Sequence, residues 1–319
     1  MTLLPDLNAW IEFLGAGLRL SIPLIFAAWG GVISERCGVV NIALEGIMLM
    51  GAFGAAAGAF FLGSPMAGLA LGIICGILTG LILSGLSISL GVNQIVVGIA
   101  INILVLGLTT FLARMLFEEH AESIALAGFK PVALPLLSSI PIIGPVLFNQ
   151  DLLVYLMYLL APLLYWFLFH TPWGLSIRAI GEYPAAADSA GIPVPLVRHL
   201  CLAAAGAICS LGGCYLVLSQ VFLFSEGMSA GKGFIALAAV SLGRWNPIGA
   251  LLAGLLFGIC DALQLTLQFN NPGVPYQIFV VLPYLAAILA MVGLISKTKA
   301  PAAIGIPYKR GVKTDQTLV

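Results

Sequence analysis

Glu45 stands where a carboxylate is costly. It follows Asn41 by four residues in the run ERCGVVNIALEGIML, residues 35–49, and the 68 residues from Gly46 to Ala113 contain no Asp, Glu, Lys or Arg. Residues four apart share one face of a helix. An acid inside an apolar span turns toward protein or water rather than lipid. Two roles fit Glu45: tying backbone that is broken near Gly38, or touching a polar solute. Asn93, Gln94 and Asn102 form a second polar set within the same apolar stretch. Uncharged amides hydrogen-bond hydroxyls and bases without holding ions tightly. Gln94 and Asn102, eight residues apart, fall near one helix face. They fit either the lining of a solute path or glue between helices. Asn41, Glu45, Asn93, Gln94 and Asn102 are therefore the candidate path residues.

Other patterns lack the setting their chemistry needs. Gly227-Met-Ser-Ala-Gly231 matches a nucleophile elbow around Ser229. That motif works on a strand–turn–helix, with a histidine nearby, whereas His120, His170 and His199 are scattered over loops and span ends. GKGFIA, residues 231–236, has the spacing of a dinucleotide fingerprint but leads into an apolar segment. There is no HExxH and no GxxxxGK[ST] phosphate loop, so neither a catalytic residue, a metal site nor a bound cofactor is expected. The six cysteines form no CxxC pair and read as small apolar side chains.

The elements that must hold these residues are membrane helices. Of 319 residues, 61% are hydrophobic and only 8% charged, against about 25% charged in a soluble domain. Unbroken apolar runs, rather than short alternating ones, favour helices over a β-barrel. The fold class is an all-α, polytopic transmembrane bundle of about eight spans (range 6–10). Spans are expected near 13–34, 41–62, 66–90, 94–116, 152–170 and 197–221. Residues 233–264 hold a short and a full element, and 276–296 the last span. The stretch 233–243 is too short to cross and is expected to be broken or re-entrant before Pro247. Gly68, Gly72, Gly76 and Gly80 form a stripe of small residues along which another helix approaches closely.

Basic residues orient the bundle. With the C-terminus inside, Lys297, Lys299, Lys309, Arg310 and Lys313 fall on the cytoplasmic side together with Arg36, Arg178, Arg198 and Arg244. Arg114, Lys130 and Lys232 fall outside, and Arg19 lies within the first span. The N-terminus is then outside, and the 117–151 loop, with Glu118, Glu119, Glu122 and Asp151, is external. No cleavable signal peptide is evident, since the first twelve residues carry Asp6 and Glu12 but no base. Neutral net charge and the lack of a basic stripe point away from nucleic acid. Residues 1–319 read as one transmembrane domain, with a cytoplasmic loop at 174–195 and a basic tail at 297–319. Within the loop, AIGEYPAAADSAGI, residues 179–192, is expected to form a short helix with Glu182 near its start and Gly191 as its stop. Its alanine face suits the groove of a partner.

Four strings, ERCGVVNIALEGIMLMGAF, GVNQIVVGIAINILVLGLTTFL, GLSIRAIGEYPAAADSAGI and AGKGFIALAAVSLGRWNPIGALLAGLLFG, resemble the permease subunits of bacterial ABC importers in the branched-chain amino acid and ribose group. Nearly the whole chain is covered, and the nucleoside permeases are the nearest match. Ala43 departs from the group's pattern, where a glycine is usual. The resemblance implies a plasma-membrane permease that imports a small polar solute, nucleosides first, by alternating access. Sugar or branched-chain amino acid permeases are the alternatives within the group. It implies a separate ATPase subunit that binds the ATP, a second permease in a heterodimer, and a solute-binding lipoprotein. It assigns coupling to the ATPase to Gly181, Glu182, Ala185, Ala186, Ala187, Asp188 and Gly191. A carrier driven by an ion gradient would instead depend on Arg19, Glu45 and Asp261.

Overall fold

The computed structural model describes residues 7–117, 126–294 except 134, 136, 139, 141, 142 and 272, and 299–308. Glu118, Glu119, His120, Glu122, Lys297, Lys309, Arg310 and Lys313 lie outside the described residues. The apolar runs fold as helices: α1 Leu7–Arg36, α2 Leu44–Leu62, α3 Pro65–Ser84, α4 Gln94–Phe117, the short α5 Ile143–Leu147, and α6 Leu152–His170. They continue as α7 Pro172–Glu182, α8 Pro184–Ser189, α9 Val194–Tyr215, α10 Lys232–Leu242, α11 Pro247–Asn270, α12 Tyr276–Val280 and α13 Leu282–Leu294. Gly85–Ser89 and Leu216–Val221 extend α3 and α9 as π-helical turns. A two-residue hairpin, β1 Val132–Ala133 against β2 Asn149–Gln150, closes the 117–151 connection.

Among the described residues, seven helices are long and apolar enough to cross a membrane. The expected last span is divided: α12 stops at Val280 and α13 begins at Leu282, with Pro283, which has no amide hydrogen to give a preceding turn, as its second residue. The short stretch before Pro247 is α10, of 11 residues, in agreement with its length in the sequence.

The core is built by α1, α2, α3, α9 and α11 packed against one another. The glycine stripe makes this possible. A Cβ on Gly68 or Gly72 would strike the α2 carbonyls of Ala55 or Gly51. One on Gly76 or Gly80 would strike Gly206 or Leu202 of α9. One face of α3 therefore lies in contact with two backbones, an approach that membrane helices achieve through small residues. In contrast, α4 leaves Ile95, Ile99, Ile103, Phe111 and Met115 exposed, as lipid-facing side chains must be.

Candidate functional site

The crossing after α9 is discontinuous, and α4 charts its course. Gln94, at the start of α4, accepts from the Val40 amide at 2.8 Å. Two turns on, Asn102 accepts from the Gly46 amide at 2.8 Å and donates to the Ile42 carbonyl at 2.9 Å. Leu106 is the nearest side chain to Gly227, and Arg114, near the far end, pairs with Glu226 at 2.8 Å. Residues 222–231 thus return from the far end of the bundle to the level of Glu45, where α10 begins. Eleven helical residues rise about 16 Å, roughly half of a ~30 Å apolar layer.

Backbone polar groups at that depth need protein partners. Glu45 supplies them: its Oε1 accepts from the Gly231 amide at 2.8 Å and its Oε2 from the Gly233 amide at 2.7 Å. Glu45 also lies in the first turn of α2, so one carboxylate faces the positive ends of two helices. The contact requires glycine, because a Cβ on Gly233 would run into the backbone of Leu44 and Glu45. Ala230 (φ 48°) and Gly231 (φ 82°) make the left-handed turn that aims the amides. Ser229 is buried in this turn, its carbonyl accepting from the Lys232 amide.

Three expectations change here. Glu45 ties broken backbone, but at Gly231 and Gly233 rather than near Gly38. Asn41 does not share a helical face with Glu45, because α2 begins only at Leu44 and residues 37–43 form a buried non-helical turn started at Gly38 (φ 86°). Lys232 is not in an outer loop. It heads α10 inside the bundle, because the chain before it folds back. The remaining polar residues divide by role. Gln94 and Asn102 bind the 37–46 segment, whereas Asn93 caps its own helix through the Ile95 and Val96 amides at 2.9 and 3.3 Å. Asn41 is fully buried and neither of its amide atoms has a hydrogen-bond partner.

Beside the break lies a cavity of about 230 Å³. Ala230 and Lys232 line it from the turn and α10, Asp261 and Gln264 from α11, and Tyr284 from α13. The sequence flags Lys232 only by its flanking glycines. Nothing in it signals that Lys232 and Asp261 face one space.

Arg36, Arg178, Arg198 and Arg244 gather at the other end of α10. Arg36 donates to the Trp245 carbonyl at 2.6 Å, and the Trp245 indole donates to the buried Glu35 carboxylate. These bonds hold a turn in which Arg244 and Trp245 are both left-handed, at φ 56° and 52°. Arg36 and Arg178 both lie over the Phe169 ring, at 5.5 and 5.1 Å. The helix expected over 179–192 is broken by Tyr183 (φ −149°, ψ 87°) into the end of α7 and all of α8. Glu182 therefore ends one helix rather than starting another, since Pro184 must begin a new one. Gly191 (φ 86°) terminates α8 as expected. Glu182, Ala185, Ala186 and Gly191 are exposed, Asp188 is half-buried, and Gly181 and Ala187 are buried.

A strap unforeseen in the sequence braces this corner. The Ala303 amide donates to the Gly181 carbonyl at 2.8 Å, the Gly305 amide to Gly38 at 3.1 Å, and the Ala302 amide to Glu182 at 3.3 Å. Arg198, almost fully buried, donates to Cys37 and Ile306 carbonyls at 3.1 and 3.2 Å.

Among the described residues, seven long apolar helices, a discontinuous crossing and a short alanine-rich helix at one end define an integral, multi-pass membrane protein. The chain belongs to the family described as branched-chain amino acid transport system, permease component, whose model matches residues 13–293. Such a permease is the non-catalytic membrane component of a larger transport system. The guanosine ABC transporter permease NupQ of Bacillus subtilis is 37% identical over 93% of this chain and 96% of its own. The nucleoside ABC transporter permease NupC of Lactococcus lactis is 36% identical over 91% and 94%. TsgC13 of Haloferax volcanii, whose name assigns it provisionally to a glucose ABC transporter, is 35% identical over 80% and 77%. No solved structure matches the chain significantly.

Proposed function

We propose that this chain is one half of the membrane pore of an ATP-driven nucleoside importer. The observation that carries the reading is the exposed alanine surface of α8, which directly follows the α7 end that the strap ties through Gly181 to the turn after α1. A force applied to α8 reaches Gly181, and through it Gly38 and the turn leading into α2, whose Glu45 grips the broken crossing. The coupling contacts are Gly181, Glu182, Ala185, Ala186, Ala187, Asp188 and Gly191, with the exposed members touching the ATPase and the buried ones carrying its push. ATP is bound and hydrolysed on that separate subunit, and the bundle answers by alternating access. The arginine-rich end lies in the cytoplasm, which puts the N-terminus outside. A second permease completes the pore as a heterodimer, and a lipoprotein receptor delivers the solute from outside.

Two relatives above 35% identity that carry nucleoside names, each matched over more than nine-tenths of this chain, support nucleosides as the cargo. The glucose-named relative supports a sugar as the second reading. Guanosine and glucose share a sugar ring with vicinal hydroxyls. Of the polar residues read from the sequence, Asn41 is the one left free to meet solute as the turn moves. Glu45, Gln94, Asn102 and Asn93 shape the path by holding its backbone.

Ala186→Trp tests the coupling. Its Cβ faces solvent, so the fold tolerates the change. In proteoliposomes with the ATPase and receptor, uptake should fall about tenfold. Receptor binding of the nucleoside and the melting temperature should stay unchanged. Wild-type uptake by the variant would remove α8 from the coupling surface.

A further inference from the structure

The cavity beside the break holds three polar side chains that the rest of the molecule does not use. Among the described residues, Lys232, Asp261 and Gln264 make no side-chain hydrogen bond or ion pair. All three are half-buried and line the same cavity. Asp261 is within electrostatic reach of Lys232 without forming an ion pair. Counted along the helices, Lys232 lies about 15 Å and Asp261 about 21 Å from the α10–α11 turn. Both are therefore deep in a ~30 Å apolar layer. Ionisable groups at such depth mark solute pathways by default, and discontinuous helices mark binding sites near the midplane.

The chemistry of the cavity narrows its occupant. Lys232 and Asp261 cancel in charge. The amides of Gly231 and Gly233, which could otherwise draw an anion, are already taken by Glu45. The lining therefore offers a phosphate no surplus positive charge, and a neutral solute fits better. A carboxylate accepts two hydroxyl hydrogens at once, an ammonium donates three times, and an amide does both. That set matches a vicinal diol with further ring or carbonyl oxygens. The volume, about 230 Å³, is below the ~300 Å³ at which pockets for larger ligands begin, and so suits one sugar-sized group.

We propose that this cavity is a sugar-reading station on the translocation path, where Asp261 and Gln264 take the vicinal hydroxyls of a ribose and Lys232 donates to a neighbouring oxygen. The base then projects beyond the cavity, past Tyr284. The inference rests on the nucleoside reading above and adds to it a place and a selectivity.

The test uses the assembled importer in proteoliposomes, with receptor saturated by either guanosine or 2′,3′-dideoxyguanosine. The wild type should move the dideoxy compound about tenfold more slowly, because a site built for hydroxyls is left unpaired without them. Asp261→Asn and Gln264→Ala should lower guanosine turnover to that same rate and leave the dideoxy rate unchanged. Receptor-stimulated ATP hydrolysis and the melting temperature should hold. Equal turnover of both compounds by the wild type, or equal losses for both in the variants, would overturn the station. A wild type that imports glucose and not guanosine would overturn the nucleoside reading instead. The same variants, read on glucose, would then decide the cavity.

Discussion

Two of the interruptions in the helices are secured in opposite ways. At the start of α10 the interruption is deep in the bundle, and a side chain, Glu45, holds the backbone. At the α7–α8 corner it is at the bundle's edge, and backbone holds backbone: Ala303 to Gly181 and Gly305 to Gly38. Water explains the difference. Within the apolar layer lipid cannot satisfy a free amide, so the Gly231 and Gly233 amides have a partner built in. At the edge, Ala302 and Gly305 are exposed, so solvent can take over the amides that a motion releases there. The edge can therefore shift under load while its alanines stay bare for a partner, whereas the deep break moves as a unit with α2.

Removing the deep clasp should do the most damage. Glu45→Ala leaves two amides unpaired in apolar surroundings, at about 1–3 kcal/mol each. We expect a fall in melting temperature of about 5–10 °C in nanodiscs, with uptake lost. Glu45→Gln keeps an acceptor for one amide and should lose about half as much. If Glu45→Ala melts like the wild type, the break does not depend on this carboxylate.

The edge should respond more weakly and in a different observable. Arg198→Met removes the bonds to the Cys37 and Ile306 carbonyls while filling much of the same volume. Backbone bonds of the strap remain, so we expect a loss of about 2–4 °C in melting temperature. Uptake should fall several-fold at unchanged ATP hydrolysis, because the corner gives way under load. A variant that loses ATP hydrolysis in step with uptake would show that Arg198 acts on ATPase docking instead of on stiffness.

The sequence revealed these two regions unequally. Charge-free runs predict the long helices, since nothing but helix satisfies backbone in lipid. The four-residue glycine spacing predicts the close face of α3, and Pro247 together with the shortness of 233–243 predicts the half-crossing. The partners of Glu45 were not legible, because they lie 186 and 188 residues away and contribute only backbone, which no residue type advertises. The strap was hidden for the same reason: Ala303 and Gly305 act through amides every residue has. Tyr183 was hidden because the alanines around it are strong helix formers, and only Pro184 argued for a break. Asp261 was visible as an ion inside a span, but its relation to Lys232 depends on a chain reversal that charge counting places outside.

A third clasp, Arg114 to Glu226, sets the lower limit of the comparison. It joins α4 to the outer start of the broken crossing through two bonds at 2.8 and 3.2 Å. Unlike Glu45 it is open to water, with side chains 61% and 45% exposed. The hydrogen bond from Arg114 holds the Glu226 carboxyl below its ordinary value of 4.5. A carboxylate depressed in this way stabilises the fold above that ordinary value, and the contribution is lost as pH falls through the folded value. At neutral pH it is fully present, yet screening by water and salt leaves little of it. We therefore expect Glu226→Gln to melt within about 1 °C of the wild type at 0.15 M salt, with uptake unchanged. Any small difference should shrink as the pH falls from 4.5 through the lowered folded value, or as the salt is raised to about 1 M. A loss as large as that of Glu45→Ala would show that the outer start of the crossing, and not its buried break, is what the fold depends on.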